Sequence, residues 1–152
     1  MMKIISGEPK KLYTPREKRI LLQTLGKMPE TTLYSSNHVM INKERFARSV
    51  PMLKRSRELD EVARAHAIKM LDNRKTIPSL DEACLSRLKI SDNNLVISLN
   101  VAYGKTIKEI QESFMRAEKY RKKILNTEFS KMGFATAQDP KGRLYMCQLF
   151  SM

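Results

Sequence analysis

The histidines and cysteines of this 152-residue chain, the side chains that most often ligate metals or attack substrates, are His38, His66, Cys84 and Cys147. A zinc centre needs several such donors converging on one point. No HxxxH, HxH or CxxC pair exists to begin one. His66 stands between Ala65 and Ala67 in a helical pattern and reads as a helix-packing residue. Cys147 sits in an alternating apolar run, and both cysteines read as reduced thiols serving as small core residues. A nucleophilic cysteine would need a neighbouring base, and the histidines offer little choice. The motifs GxSxG, GxGxxG and GxxxxGK[ST] are all missing. Gly104-Lys105-Thr106 looks like the end of a phosphate-binding loop, but the upstream glycine is not there, and the tripeptide reads as a loop feeding a helix cap. The expectation is a protein without enzymatic activity, cofactor or metal.

Chemistry of another kind is abundant. Lys and Arg number 29 against 16 Asp and Glu, a formal charge of +13 and a pI near 9.9. Such an excess predicts attraction to an acidic protein surface, an anionic membrane face or nucleic acid. It is uneven: net +7 over residues 1–60, +2 over 61–120 and +4 over 121–152. Three groups stand out. One is Lys54, Arg55 and Arg57, and another is Lys119, Arg121, Lys122 and Lys123. The third is an N-terminal series holding Lys10, Lys11, Arg16, Lys18 and Arg19. The second lies where a helix should end, so the helix dipole already accounts for part of it.

The elements that must carry these residues read as one domain, 36–152, behind a basic arm, 1–35. Length suits a single core, and 41% hydrophobic residues suffice to pack one. No apolar run reaches the length of a membrane span, and two cysteines make no disulfide framework. The first residues lack the apolar stretch of a secretory signal, so an intracellular location, cytoplasmic or organellar, is expected. In the arm, Thr14-Pro15-Arg16-Glu17 is a helix start, and Ile20, Leu21, Leu22 and Leu25 form an apolar patch on the short helix beyond it, which ends near Gly26. A helix capped by Asn37 is expected over 37–49, broken at Val50-Pro51. The clearest helix runs over 56–73 from an N-cap at Ser56, with Leu59, Val62, Ala63, Ala67, Met70 and Leu71 at helical spacing. A loop over 74–80, a short helix over 80–89 and a brief strand at Leu95-Val96-Ile97 follow. One long helix is expected over 106–125, capped by Thr106. Strands over 132–138 and 143–150 flank the turn Asp139-Pro140-Lys141-Gly142. In the last strand Leu144, Met146, Gln148 and Phe150 share one face, and Tyr145, Cys147 and Leu149 the other. Both faces therefore look covered, as in a layered α/β/α domain.

Three stretches together resemble the CAP superfamily, the fold of the cysteine-rich secretory, antigen 5 and pathogenesis-related proteins. The first combines Asn42 and Arg45 (N-x-x-R), Val50-Pro51-Met52-Leu53, and Leu59 and Ala63 through His66-Ala67 to Met70. The second is Asn100-Val101-Ala102-Tyr103-Gly104, similar to the family's E-N-(V/L)-A-x-G loop. The third runs from Phe114-Met115 through Arg121, Ile124-Leu125-Asn126, Phe129 and Gly133 to Gly142, Tyr145, Gln148 and Phe150. It resembles the W-M-x-S-x-x-H-R-x-N-I-L-N closing, with a terminal Q-x-F, of the compact bacterial-type members. The match covers about residues 38–150 in order. The resemblance implies an α/β/α sandwich around a small central antiparallel sheet. In many members it also implies a cleft where two His and two Glu hold a divalent metal. Here those positions fall on Leu99, Ala117 and Tyr120, and on 72–76, where no histidine occurs.

The functional expectation is thus a non-catalytic CAP-like domain, an interaction module or structural subunit of an intracellular assembly. Its partner would be an acidic protein surface met by Lys10, Lys11, Arg16, Lys18, Arg19, Leu21, Leu22 and Leu25 of the arm. Binding to anionic lipid through Lys119, Arg121, Lys122 and Lys123 is one alternative. A non-specific nucleic-acid contact within a ribonucleoprotein, through Lys54, Arg55 and Arg57, is the other. That cluster has no interleaved stacking aromatics.

Overall fold

The computed structural model describes residues 36–86 and 96–152, and Arg16 alone before them. The chain runs α1 (Ser36–Ala47), β1 (Lys54–Arg55), α2 (Arg57–Asn73), α3 (Glu82–Ser86), β2 (Ile97–Gly104), α4 (Ile107–Arg116), α5 (Glu118–Ile124), β3 (Lys131–Gln138) and β4 (Leu144–Ser151). The strands form one sheet in the order β1-β3-β4-β2. Strands β3 and β4 make the expected hairpin, with Lys131 opposite Ser151 and Gln138 opposite Leu144. At its turn Asp139 Oδ1 accepts from the amides of Lys141 (2.9 Å) and Arg143 (2.8 Å). Gly142 there takes φ +86°, a conformation open to glycine at little cost.

The sheet is mixed rather than antiparallel. Lys54 and Arg55 pair parallel to Lys131 and Met132 on the outer side of β3. Two exposed basic residues carry no strand pattern, so only the tertiary approach of β3 makes β1 a strand. Strand β2 is also longer than expected. It reaches Gly104, so Asn100-Val101-Ala102-Tyr103-Gly104 is not a loop but the edge strand paired to β4, with Asn100 opposite Gln148.

Helices cover both faces, and side-chain alternation along β4 divides the core in two. On one face Tyr145, Cys147 and Leu149 pack with Val101 and with Leu59, Val62, Ala63, Ala67 and Met70 of α2. On the other, Met146 and Phe150 pack with Ile41 of α1, Ile110 and Phe114 of α4, Ile124 of α5, and Phe129. Each Val, Leu, Ile, Met or Phe among them withdrawn from water stabilises the fold by about 1.5–3 kcal/mol before entropy is charged against it. Helix α2 lies close on β3 because residue 133 is glycine: a Cβ there would stand 2.3 Å from the Leu59 carbonyl carbon. Ser56 caps α2 as expected, accepting from the Leu59 amide at 3.2 Å. The helix stops where Arg74 turns left-handed (φ 53°) and its N–H bonds back to the last turn.

Two local expectations fail. Asn37 is not a cap, because α1 begins at Ser36 and the Asn37 side chain is buried among other amides. The long helix over 106–125 is two helices, hinged at an extended Ala117 (φ −109°, ψ 120°). No Pro or Gly marks the break. It resets the helical phase so that Phe114 and Ile124 both bury and the rings of Phe114 and Tyr120 meet at 5.0 Å.

Candidate functional site

Because Tyr145 to Ser151 are all buried, Gln148 must find its partners inside the protein. Its Nε2 donates to Asn37 Oδ1 (3.0 Å) and Gln111 Oε1 (2.7 Å), and Asn37 Nδ2 donates to the same Gln111 oxygen (2.9 Å). Asn100 Nδ2 reaches Gln148 Oε1 and the Tyr120 carbonyl, each at 3.3 Å. Amides from α1, α4, β2 and β4 thus meet in one buried network. They carry no charge and exchange no proton at neutral pH, so the network locks elements together rather than performing acid–base chemistry.

The positions where the family resemblance places metal ligands do not form a centre. Leu99 packs on the α2 face of the sheet, while Tyr120 packs against the opposite core. Ala117 is the hinge between α4 and α5. The histidines are committed elsewhere and fully buried. His66 Nε2 lies 2.7 Å from the Ile77 carbonyl, and His38 Nε2 lies 3.2 Å from Asp60 Oδ1. Among the described residues no group of three or more His, Cys, Asp or Glu could hold a metal ion. This donor set does not fit a centre of two histidines and two glutamates.

Among the described residues, Asp60 is a partly buried carboxylate with several partners. Burial alone would raise its pKa, but hydrogen bonds to His38, Arg55 (2.5 Å) and the Phe134 amide (2.8 Å) outweigh that and lower it. The His38 side chain is only 1% exposed, out of a substrate's reach. Cys84 and Cys147 are buried thiols that form no disulfide. Burial, and then the adjacent Cys84, push the Cys147 thiol far up, which leaves it protonated and unreactive.

The basic groups expected from the sequence fare differently. Lys54 and Arg57 are exposed, but Arg55 turns to Asp60, so the compact cluster is divided. Arg16 is exposed and helical. Lys10, Lys11, Lys18, Arg19, Leu21, Leu22 and Leu25 lie outside the described residues. Helix α5 does gather its cations. Lys119 and Lys122 are exposed, with Lys119 Nζ 5.6 Å from the Tyr120 ring centre. Lys123 Nζ donates to the Leu99 carbonyl at 2.9 Å on the free edge of β2. Arg121, Lys122 and Lys123, with Glu118 among them, line a groove of about 620 Å³ that also takes in Ser98, Leu125 and Phe129. Partial burial, then repulsion from Lys119 and Lys122, lowers the Lys123 pKa.

A second groove, of about 720 Å³, was not visible in the sequence. It joins Arg74 and Lys75 after α2, Lys141 and Arg143 of the hairpin turn, and Tyr103 and Tyr145 of paired strands. Its members come from three separated stretches. The only local signal was Tyr103, an aromatic beside Gly104 at a strand end.

An α/β domain with helices on both faces of a small mixed sheet, an amide-locked interior and basic grooves at its surface is what these residues build. The family model of the cysteine-rich secretory proteins, CAP, matches residues 39–150, and the chain belongs to that family. Solved structures show the same fold. An outer surface protein from Borrelia burgdorferi is 17% identical with a TM-score of 0.66, over 93% of this chain and 96% of that one. An extracellular SCP-domain protein from Bacillus anthracis is 18% identical with a TM-score of 0.65, over 93% of this chain and 44% of the other. A cysteine-rich secretory protein from Staphylococcus aureus is 16% identical with a TM-score of 0.60, over 76% and 36%. No curated protein matches the chain.

Proposed function

We propose that this chain is a non-catalytic CAP domain that acts as an interaction module, gripping an acidic protein surface through α5. One observation carries the reading: Lys119, Arg121, Lys122 and Lys123 crowd a seven-residue helix beside a concave, partly apolar groove. Like charges held this close raise one another's energy, and an anionic partner relieves them. A concave groove suits protruding acidic side chains better than a flat bilayer. The basic arm, with its apolar Leu21, Leu22 and Leu25, would extend the contact. An intracellular setting belongs to the same proposal, although two structural neighbours are an outer surface protein and an extracellular protein.

The test compares the full chain with the double variant Lys119→Glu/Lys122→Glu, both sites being exposed. Native size in cell extract is measured at low and high salt, with and without nuclease. A large particle that survives nuclease, loses this chain at high salt and never contains the variant is the expected result. Deleting residues 1–35 should weaken the association while leaving the domain folded. A free species near 17.6 kDa in every condition, collapse with nuclease, or flotation with anionic vesicles that the variant abolishes would each replace the acidic-protein reading.

A further inference from the structure

Tyr103 is one of the large hydrophobic side chains left exposed among the described residues, at 57%. It stands on edge strand β2 directly opposite the buried Tyr145 of β4, with ring centres 5.9 Å apart and planes tilted by 30°. Tyr145 thus contacts Tyr103 from the neighbouring strand, and more than half of Tyr103 stays exposed. Arg74 and Lys75 enter the same groove from the left-handed end of α2, and Lys141 and Arg143 enter from the hairpin turn. Against these four cations stand Asp72 and Asp139. Asp139 is already occupied by the turn, accepting from two amides and lying 3.7 Å from Arg143 Nε. Four cations against two carboxylates leave the groove net cationic beside the exposed Tyr103 ring.

We propose that this groove binds a nucleotide unit, its base stacked on Tyr103 and its phosphate held among Arg74, Lys75, Lys141 and Arg143. Aromatic stacking beside phosphate-neutralising cations is how single-stranded nucleic acid is held without sequence readout. An acidic peptide would use the cations but gain nothing from the exposed ring. A free nucleotide and a segment of single strand share the chemistry. The groove lies at the opposite end of β2 from Ser98 and the α5 groove, about 17 Å along the strand, so the inference does not rest on the reading given for α5.

The test uses the full chain, a fluorescent single-stranded oligouridine of twelve nucleotides and anisotropy at low salt, with uridine 5′-monophosphate as competitor. Tyr103→Ala should weaken strand binding about tenfold or more, and Tyr103→Phe should retain it. Lys141→Glu/Arg143→Glu should weaken it too and flatten the salt dependence, by about 0.7 in log–log slope for each phosphate no longer neutralised. Lys119→Glu/Lys122→Glu should leave the Tyr103-dependent part in place. A strand that binds far more tightly than the monophosphate identifies a polynucleotide ligand. Equal affinity per nucleotide identifies a free nucleotide, and both outcomes support the site. Failure of both probes to bind, or Tyr103→Ala binding within twofold of the unaltered chain, overturns it. So does competition by polyglutamate that is equally sensitive to Tyr103→Ala, which would mark an acidic protein as the ligand.

Discussion

The side chain of Asn42 pairs with the backbone of Leu53 as a neighbouring strand would: its Nδ2 donates to the Leu53 carbonyl at 3.1 Å and its Oδ1 accepts from the Leu53 amide at 2.8 Å. Both residues are buried, so water cannot replace either bond. Asn42→Ala leaves a buried donor and a buried acceptor unmatched, and should destabilise the domain by about 2–4 kcal/mol. Urea unfolding followed by circular dichroism measures it. Asn42→Asp, which keeps the acceptor but loses the donor, should not restore the loss.

One turn further along α1, Arg45 is buried completely and its guanidinium donates to backbone carbonyls of Pro51 (2.7 Å), Ile124 (2.8 Å), Asn126 (2.9 Å) and Phe129 (3.3 Å). Those carbonyls belong to the break after α1 and the link from α5 to β3. Arg45→Lys presents one compact ammonium where a planar fork reached four oxygens. It should cost about 2–4 kcal/mol, read as a lowered midpoint in thermal or urea unfolding; an unchanged midpoint would show that the fork does not organise these loops.

Gly133 is where helix α2 touches the sheet. A methyl group there meets Leu59 backbone and Cβ and the Asp60 amide, at 2.3–2.5 Å. Backbone cannot yield as the end of a side chain can. Gly133→Ala should push α2 off β3 and destabilise by about 3 kcal/mol or more, while Gly142→Ala, at an exposed turn, should cost about 1 kcal/mol from its positive φ alone. Comparing the two unfolding midpoints separates close approach from backbone conformation.

Acid should weaken the domain through Asp60. Its carboxyl is lowered in the folded protein, so the stability it contributes is complete above the unfolded carboxylate range. That contribution fades as pH falls below about 4 and through the depressed folded value. Unfolding midpoints between pH 7 and pH 3 should decline in the unaltered chain. In Asp60→Asn the decline should be shallower, starting from a lower plateau. An identical acid limb in the variant would place the titration elsewhere.

The sequence by itself determined the residues that must be inside and their order. The alternation of Leu144 to Phe150 foretold two covered faces, the helical spacing from Leu59 to Met70 foretold the helix that covers one of them, and Asp139 to Gly142 foretold the hairpin. Those patterns are local, with periods of two and about 3.6 residues. The motif of Asn42, Arg45, Gln148 and Phe150 foretold the family without revealing what its members do in the fold. The bonds from Asn42 to Leu53 span 11 residues across a helix break, and those from Arg45 to Ile124 and from Gln148 to Gln111 span 79 and 37, beyond any local window. The parallel strand at Lys54 and Arg55, the hinge at Ala117 and the groove around Tyr103 were decided by the tertiary structure alone. In each case backbone conformation or side-chain proximity is imposed by elements distant in the chain, and local propensity yields to the larger free energy of burying a shared core.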